Sequence, residues 1–168
     1  MKNLVRLSSI IPNSLVNGPG MSKVIYAQGC KHNCKGCFNT HTHSFDLGIM
    51  WDINDLVRTV INDPIIRGVT FSGGDPLEQP EEFGIIAKKI KTAKPKLNIW
   101  CYTGYTIEYI LDHLNKYKLL LENIDVLVDG KYDETQPDNT KSFRGSLNQR
   151  FIDVQKTLKE KKIYEYTL

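Results

Sequence analysis

The chain has 168 residues, enough for one hydrophobic core but short of the roughly 250 of a complete eightfold barrel. Its 40% hydrophobic and 24% charged residues are ordinary for a globular protein. A net charge of +3, with Lys and Arg spread along the chain, leaves no electrostatic footprint for nucleic acid. No signal peptide is visible at the start and no apolar run approaches the ~20 residues of a membrane span, so the expectation is one cytoplasmic domain, 1–168, that binds neither nucleic acid nor membrane.

Residues 4–11 read as a first extended segment, followed by the turn-rich Leu15-Val16-Asn17-Gly18-Pro19-Gly20. Lys23-Val24-Ile25-Tyr26-Ala27 is β-branched and aromatic, which predicts a short buried strand. It runs directly into Gln28-Gly29-Cys30-Lys31-His32-Asn33-Cys34-Lys35-Gly36-Cys37-Phe38-Asn39. Residues 40–49 read as polar and irregular. Asp52 as N-cap, with Ile53, Leu56, Val57 and Val60 behind it, predicts an amphipathic helix that Pro64 ends. Residues 68–72 predict a second strand, closed by Gly73-Gly74-Asp75-Pro76. Pro80 then opens a helix with Glu81 and Glu82 in its first turn and Phe83, Ile86, Ala87 and Ile90 on its apolar face. The lysines at 88, 89, 91 and 94 belong to its solvated end.

Residues 97–102 predict a third strand, ending in Thr103-Gly104-Tyr105, and Ile107, Ile110, Leu111 and Leu114 mark the next helix. Residues 123–128 predict a fourth strand, ending in Asp129-Gly130-Lys131. Residues 132–142 are polar and predict a mobile loop, while 150–154 and 163–167 predict two further strands. Strand, special loop and helix alternate four times. This predicts an α/β fold with a parallel sheet and right-handed crossovers, its four loops converging on one rim, where such folds place their chemistry.

Three of the four cysteines fall in that first loop, spaced C-x3-C-x2-C. In a reducing compartment such a cluster reads as metal or redox chemistry. Structural zinc requires four ligands in tetrahedral geometry. The loop supplies three thiolates, and the one candidate fourth ligand, His32, lies inside the x3 spacer. Cys101, in a strand interior, reads as a small buried hydrophobe. Iron–sulfur clusters usually take four Cys thiolates, and three with an open position suit a cluster that binds substrate at one iron. On these residues alone zinc and iron–sulfur both stay open. His41 and His43, isolated in an irregular stretch, receive no role.

A C-x3-C-x2-C loop directly after a first strand resembles the radical S-adenosylmethionine superfamily. Within it, the chain closely resembles the activating proteins of the anaerobic (class III) ribonucleoside-triphosphate reductases. The resemblance runs through Val16-Asn17-Gly18-Pro19-Gly20, the cysteine loop, Ser72-Gly73-Gly74-Asp75-Pro76-Leu77, Trp100-Cys101-Tyr102-Thr103-Gly104-Tyr105, Val128-Asp129-Gly130-Lys131-Tyr132 and Arg144-Gly145-Ser146-Leu147-Asn148-Gln149-Arg150. The wider superfamily often has an aromatic residue directly before the third cysteine. Here Gly36 stands there and Phe38 follows, as in the reductase activases.

The resemblance implies a parallel sheet forming an incomplete (βα) barrel, and a [4Fe–4S] cluster on Cys30, Cys34 and Cys37. It implies reductive cleavage of S-adenosylmethionine to a 5′-deoxyadenosyl radical, which generates a glycyl radical on the large reductase subunit. A flavodoxin- or ferredoxin-type donor would supply the electron. For S-adenosylmethionine it implies contacts from Asn39, from Phe38 or the Gly36 backbone against the adenine, and from Gly73 and Gly74. The Asp75 carboxylate would complement the ammonium group, with Thr103, Asp129 and Lys131 as further candidates. Arg144, Asn148 and Arg150 are expected on the face that docks the reductase. Competing readings are another radical S-adenosylmethionine enzyme (an activase for formate lyase, or a deazapurine-forming enzyme) and a non-enzymatic zinc-stabilised binding module.

Overall fold

A computed structural model describes residues 2–140 and 142–168. The elements in chain order are β1 (Leu4–Ser14), β2 (Ser22–Ala27), β3 (Ile49–Asp52), α1 (Ile53–Ile61), β4 (Gly68–Gly73), α2 (Pro80–Ala93), β5 (Asn98–Tyr102), α3 (Ile107–Asp112), α4 (Leu114–Leu121), β6 (Val126–Asp129), β7 (Arg150–Asp153) and α5 (Val154–Glu160). Local chemistry explains most of the helix starts. Asp52, Thr106 and Asp153 each accept a hydrogen bond from a main-chain N–H three residues on, and Pro80 opens α2 with two glutamates in its first turn.

The strands form one open seven-stranded sheet in the order β3-β1-β2-β4-β5-β6-β7. Only its centre, β2-β4-β5-β6, is parallel. β1, β3 and β7 run antiparallel to their neighbours. The expected parallel sheet is therefore a mixed one. Parallel neighbours need a crossover of a dozen or more residues, usually helical, whereas β1 turns straight back into β2 and β7 returns beside β6 with no helix between them.

Three local expectations also change. β3 lies at the end of the stretch expected to be irregular, held by register with β1 from Leu4↔Asp52 to Leu7↔Ile49. The single helix expected after the third strand is two, α3 and α4. The His113 imidazole bonds the Tyr109 carbonyl (2.8 Å), the acceptor that its own N–H would use in a continuous helix, and that N–H turns to Ile110 instead. Residues 163–167 make a single bridge, Ile152↔Glu165, in place of a strand, and α5 follows β7 directly. Lys141, within the expected mobile loop, and Met1 lie outside the described residues.

The two sheet faces differ, as the period of two along each strand requires. Ile25, Phe71, Ile99, Cys101 and Leu127 point into the main core, against Phe83, Ile86 and Ile90 of α2 and Leu120 and Leu121 of α4. Cys101 is fully buried there, as expected. On the opposite face, Trp100, Val126, Val128 and Phe151 form a smaller cluster with Tyr102, Phe143 and Tyr166. Trp100 meets the rings of Phe143, Phe151 and Tyr166 at centroid distances of 5.5–5.8 Å. Among the described residues, no helix contributes to this cluster, which leaves room beside the strand ends. No described helix is long and apolar enough to cross a membrane.

Candidate functional site

A cavity of about 270 Å³ opens at the C-terminal ends of the parallel strands and continues onto the face of the smaller cluster. Small-molecule sites typically begin near 300 Å³. Cys30, Cys34 and Cys37 all line it, with Phe38, Asn39, Gly73, Gly74, Thr103 and Arg144. Sequence reading thus brings nine of its site residues to one cavity.

The cysteine loop is anchored by main chain. The Gly29 N–H donates to Thr42 O (2.7 Å) and the Cys30 N–H to His43 O (3.1 Å). A single turn bond from Cys37 N to Cys34 O (3.2 Å) bends the x2 spacer. The segment after the loop therefore folds back and zips onto its start, assisted by Gln28, whose amide donates to His41 O and Ser44 O. The turn after β4 locks against the same loop, through Gly74 N to Ala27 O (2.8 Å) and Asp75 N to Gly29 O (2.9 Å). A Cβ at Gly74 would collide with the Gly29 carbonyl, so only glycine permits this approach.

The three thiols of one short loop share one cavity wall, and all three are free and partly exposed. Among the described residues no three Cys, His, Asp or Glu side chains converge to hold a single ion. A four-iron cluster asks for something else, since each thiolate takes a different iron, and this donor set fits it with one iron left open. Burial, and secondarily the negative charge of Asp75, push the Cys30 thiol up to about 11, so iron must displace a proton there.

His32 is not directed at the cysteines. Its Nε2 donates to Asp75 Oδ2 at 2.7 Å, and its ring stands edge-on to Tyr105, centroids 4.5 Å apart. Asp75 is fully buried. The same Oδ2 accepts from Thr103 Oγ1 and Gly104 N (both 2.9 Å), and Oδ1 caps the following turn by accepting from Leu77 N (2.9 Å). This carboxylate is therefore spent on joining the cysteine loop to the ends of β4 and β5, and does not face the cavity as expected. Around the same knot, Tyr105 Oη donates to Glu78 (2.6 Å), and Lys31 pairs with Glu78 at 3.4 Å.

Other expected residues also lie off the cavity. Asp129 is buried and accepts from Ile107 N (2.8 Å) and from Arg150 Nε and Nη2. Arg150 in turn bridges to Glu108. Lys131 is exposed, and Asn148 donates to its carbonyl (2.8 Å). Gly36, at φ +73°, backs onto Glu134 and Tyr132. Phe38 does line the cavity but is 74% exposed, its ring tilted against Tyr132 (centroids 4.9 Å).

Several cavity residues had been given no site role. Asn17 was visible only as part of a turn motif, and its carbonyl accepts from Thr70 Oγ1 on β4. Gln149 is an internal clamp: Oε1 accepts from Gly145 N and Ser146 N, and Nε2 donates to Gly130 O. Tyr102 donates to the Phe143 carbonyl. His43, without a role in the sequence reading, lies beside Cys37 with Nε2 3.4 Å from Sγ.

Comparison with known proteins bears on the whole of this arrangement. Residues 16–152 match the sequence family described as 4Fe-4S single cluster domain. The chain is 38% identical over 148 residues to the anaerobic ribonucleoside-triphosphate reductase-activating protein of Haemophilus influenzae, covering 82% of this chain and 91% of the relative. It is 37% identical over 145 residues to that of Enterobacteria phage T4 (84% and 89%), and 36% identical over 146 residues to that of Escherichia coli K12 (82% and 92%).

Proposed function

The chain belongs to the family of anaerobic ribonucleoside-triphosphate reductase-activating proteins, and from that premise we propose that it activates such a reductase by radical S-adenosylmethionine chemistry. The observation that carries this reading is the placement of Cys30, Cys34 and Cys37 on one cavity wall, facing the glycine-rich end of β4. When bound, a [4Fe–4S] cluster on these thiolates and S-adenosylmethionine supply the one-electron cleavage that yields a 5′-deoxyadenosyl radical and, from it, a glycyl radical on the large reductase subunit.

The protein's own residues bind and orient. Gly73 and Gly74 bring bare main chain to the cavity, which suits close contact with the methionine end of the ligand. Phe38 and Tyr132, already in contact, offer aromatic surface for the adenine, with Asn39 beside them. Thr103 lines the floor while its hydroxyl is held by Asp75, so Asp75 serves as scaffold beneath the ligand. Arg144 also lines the cavity and is the residue of this lining assigned to contact with the reductase.

The parallel strands β2-β4-β5-β6 represent, in this reading, the incomplete barrel of the superfamily. Its missing side admits a macromolecular substrate. The protein would act in the cytoplasm as a single domain, reduced by a flavodoxin- or ferredoxin-type donor.

The test is anaerobic reconstitution with iron and sulfide, followed by reduction with S-adenosylmethionine and the large reductase subunit. A brown protein that cleaves S-adenosylmethionine and produces a glycyl radical doublet in the electron paramagnetic resonance spectrum is the expected result. A colourless zinc protein would overturn the whole reading. Cleavage without the doublet would overturn the choice of partner.

A further inference from the structure

The three cysteine sulfurs are not equivalent. Cys37 Sγ accepts from the main-chain N–H of Asn39 and lies beside the Nε2 of His43, each at 3.4 Å. Among the described residues, Cys37 alone of the three has a side-chain nitrogen at hydrogen-bond distance from its sulfur.

The position of His43 is built in. It caps the turn Thr40–Thr42, its N–H donating to Thr40 O (3.2 Å), and its carbonyl accepts from Cys30 N (3.1 Å). One residue therefore holds the first cysteine through its main chain and touches the third through its side chain. Gln28 fixes the carbonyls on either side, at His41 and Ser44. A partly buried imidazole tied down in this way meets the sulfur by construction of the loop.

We propose that His43 is a positioning and tuning residue for the cluster, donating an Nε2–H···S hydrogen bond to the Cys37 corner and raising the reduction potential. This rests on the cluster reading above. An N–H donor offsets negative charge on a thiolate, and charge is greater in the reduced cluster. The bond therefore favours the reduced state, in keeping with the general effect of hydrogen bonds to cluster sulfurs. His43 would thereby ease reduction of the cluster that the three thiolates would hold.

The test uses the reconstituted full chain, without S-adenosylmethionine, in a redox titration followed by electron paramagnetic resonance. His43→Leu should shift the midpoint potential to more negative values at unchanged iron content. His43→Gln, which keeps an N–H donor, should shift it less. A His43→Leu potential equal to wild type overturns the proposal. Should His43→Leu fail to hold the cluster, wild-type protein labelled with ¹⁵N-histidine decides. Its reduced cluster should show a weak nitrogen coupling in pulsed resonance that His43→Gln lacks, and absence of that coupling overturns the proposal. Wild-type protein that takes up no cluster would instead sink the parent reading, so the two failures are distinct.

Discussion

On one side of the cavity, the cysteine loop and the turns after β4 and β5 are joined by main-chain hydrogen bonds and by one buried carboxylate, Asp75, that accepts from all three. On the other side, a short main-chain bridge, Asp138 N to Gly145 O (3.0 Å) and Leu147 N to Gln136 O (2.9 Å), is supplemented by many side chains of the segment from 130 to 149. Asp138 gathers Thr140, Ser142 and Arg144, Gln149 clasps Gly130, Gly145 and Ser146, and Tyr102 tethers Phe143. The first wall is continuous with the sheet; the second is an appendage to it. A wall that must present three thiolates in fixed relation gains from sheet-like rigidity, since displacements of an ångström are costly to such chemistry.

Removing Asp75 should break the first wall most severely. Asp75→Ala leaves His32 Nε2, Thr103 Oγ1, Gly104 N and Leu77 N without their buried acceptor. Deleting one partner of a buried charged group costs about 3–5 kcal/mol, a large part of the ~5–15 kcal/mol that holds a domain together. The thermal unfolding midpoint of Asp75→Ala should drop steeply, and iron content after reconstitution should drop with it. A midpoint equal to wild type would show that the wall does not depend on this carboxylate.

A smaller lesion at the same place is steric. A Cβ on Gly104 would stand 2.5 Å from His32 Cδ2 and 2.7 Å from Nε2. Overpacking of this kind costs about 1–3 kcal/mol. Gly104→Ala should therefore destabilise the protein and slow cluster uptake. The double variant Gly104→Ala/His32→Ala, which vacates the space, should lose less than the sum of its two parents, because residues in contact are not additive. Strict additivity in thermal melts would mean that the imidazole and Gly104 do not share this space.

The same contrast explains what could be read from the sequence. The parallel strands were legible because Val24-Ile25-Tyr26 and Val69-Thr70-Phe71 carry their own β signal, and the thiols were legible from spacing alone. β3 was not, since four residues at an edge become a strand only through pairing with β1. Nor was the split between α3 and α4, which depends on a histidine side chain taking a backbone acceptor. Among site residues, the three thiols, Gly73 and Gly74 line the cavity, while Gly36, Asp75 and Asp129 do not. A carboxylate at a strand end looks alike whether it faces a ligand or its neighbours. Here the deciding partners, His32 and Gly104 for one and Ile107 N and Arg150 for the other, come from distant segments.

On the second wall the expected effects are milder and local. Arg144 donates to Asp138 Oδ2 (2.6 Å) and to Gln149 O (2.9 Å), and its guanidinium holds the Asp138 carboxyl well below the usual range. Arg144→Ala should make residues 130–149 more susceptible to limited proteolysis while iron content per chain stays at the wild-type level. Loss of iron in that variant would show that the two walls are one unit.

The smallest effect belongs to the ion pair at the foot of that wall. Arg150 grips Glu108 with two bonds (2.8 and 2.6 Å) while also bonding Asp129. The guanidinium lowers the Glu108 carboxyl from 4.5 to about 2. A carboxyl depressed on folding contributes stability that is full above its unfolded value and is lost as pH falls toward the folded one. The contribution is thus present above about pH 4.5 and fades toward pH 2. The Glu108 side chain is 52% exposed, so solvent screening keeps the gain small. Glu108→Gln should melt slightly below wild type near neutral pH, and the gap should close as pH falls through that window. A gap that stays constant across it would mean that Arg150 is held by Asp129 alone, and that Glu108 merely lies beside it.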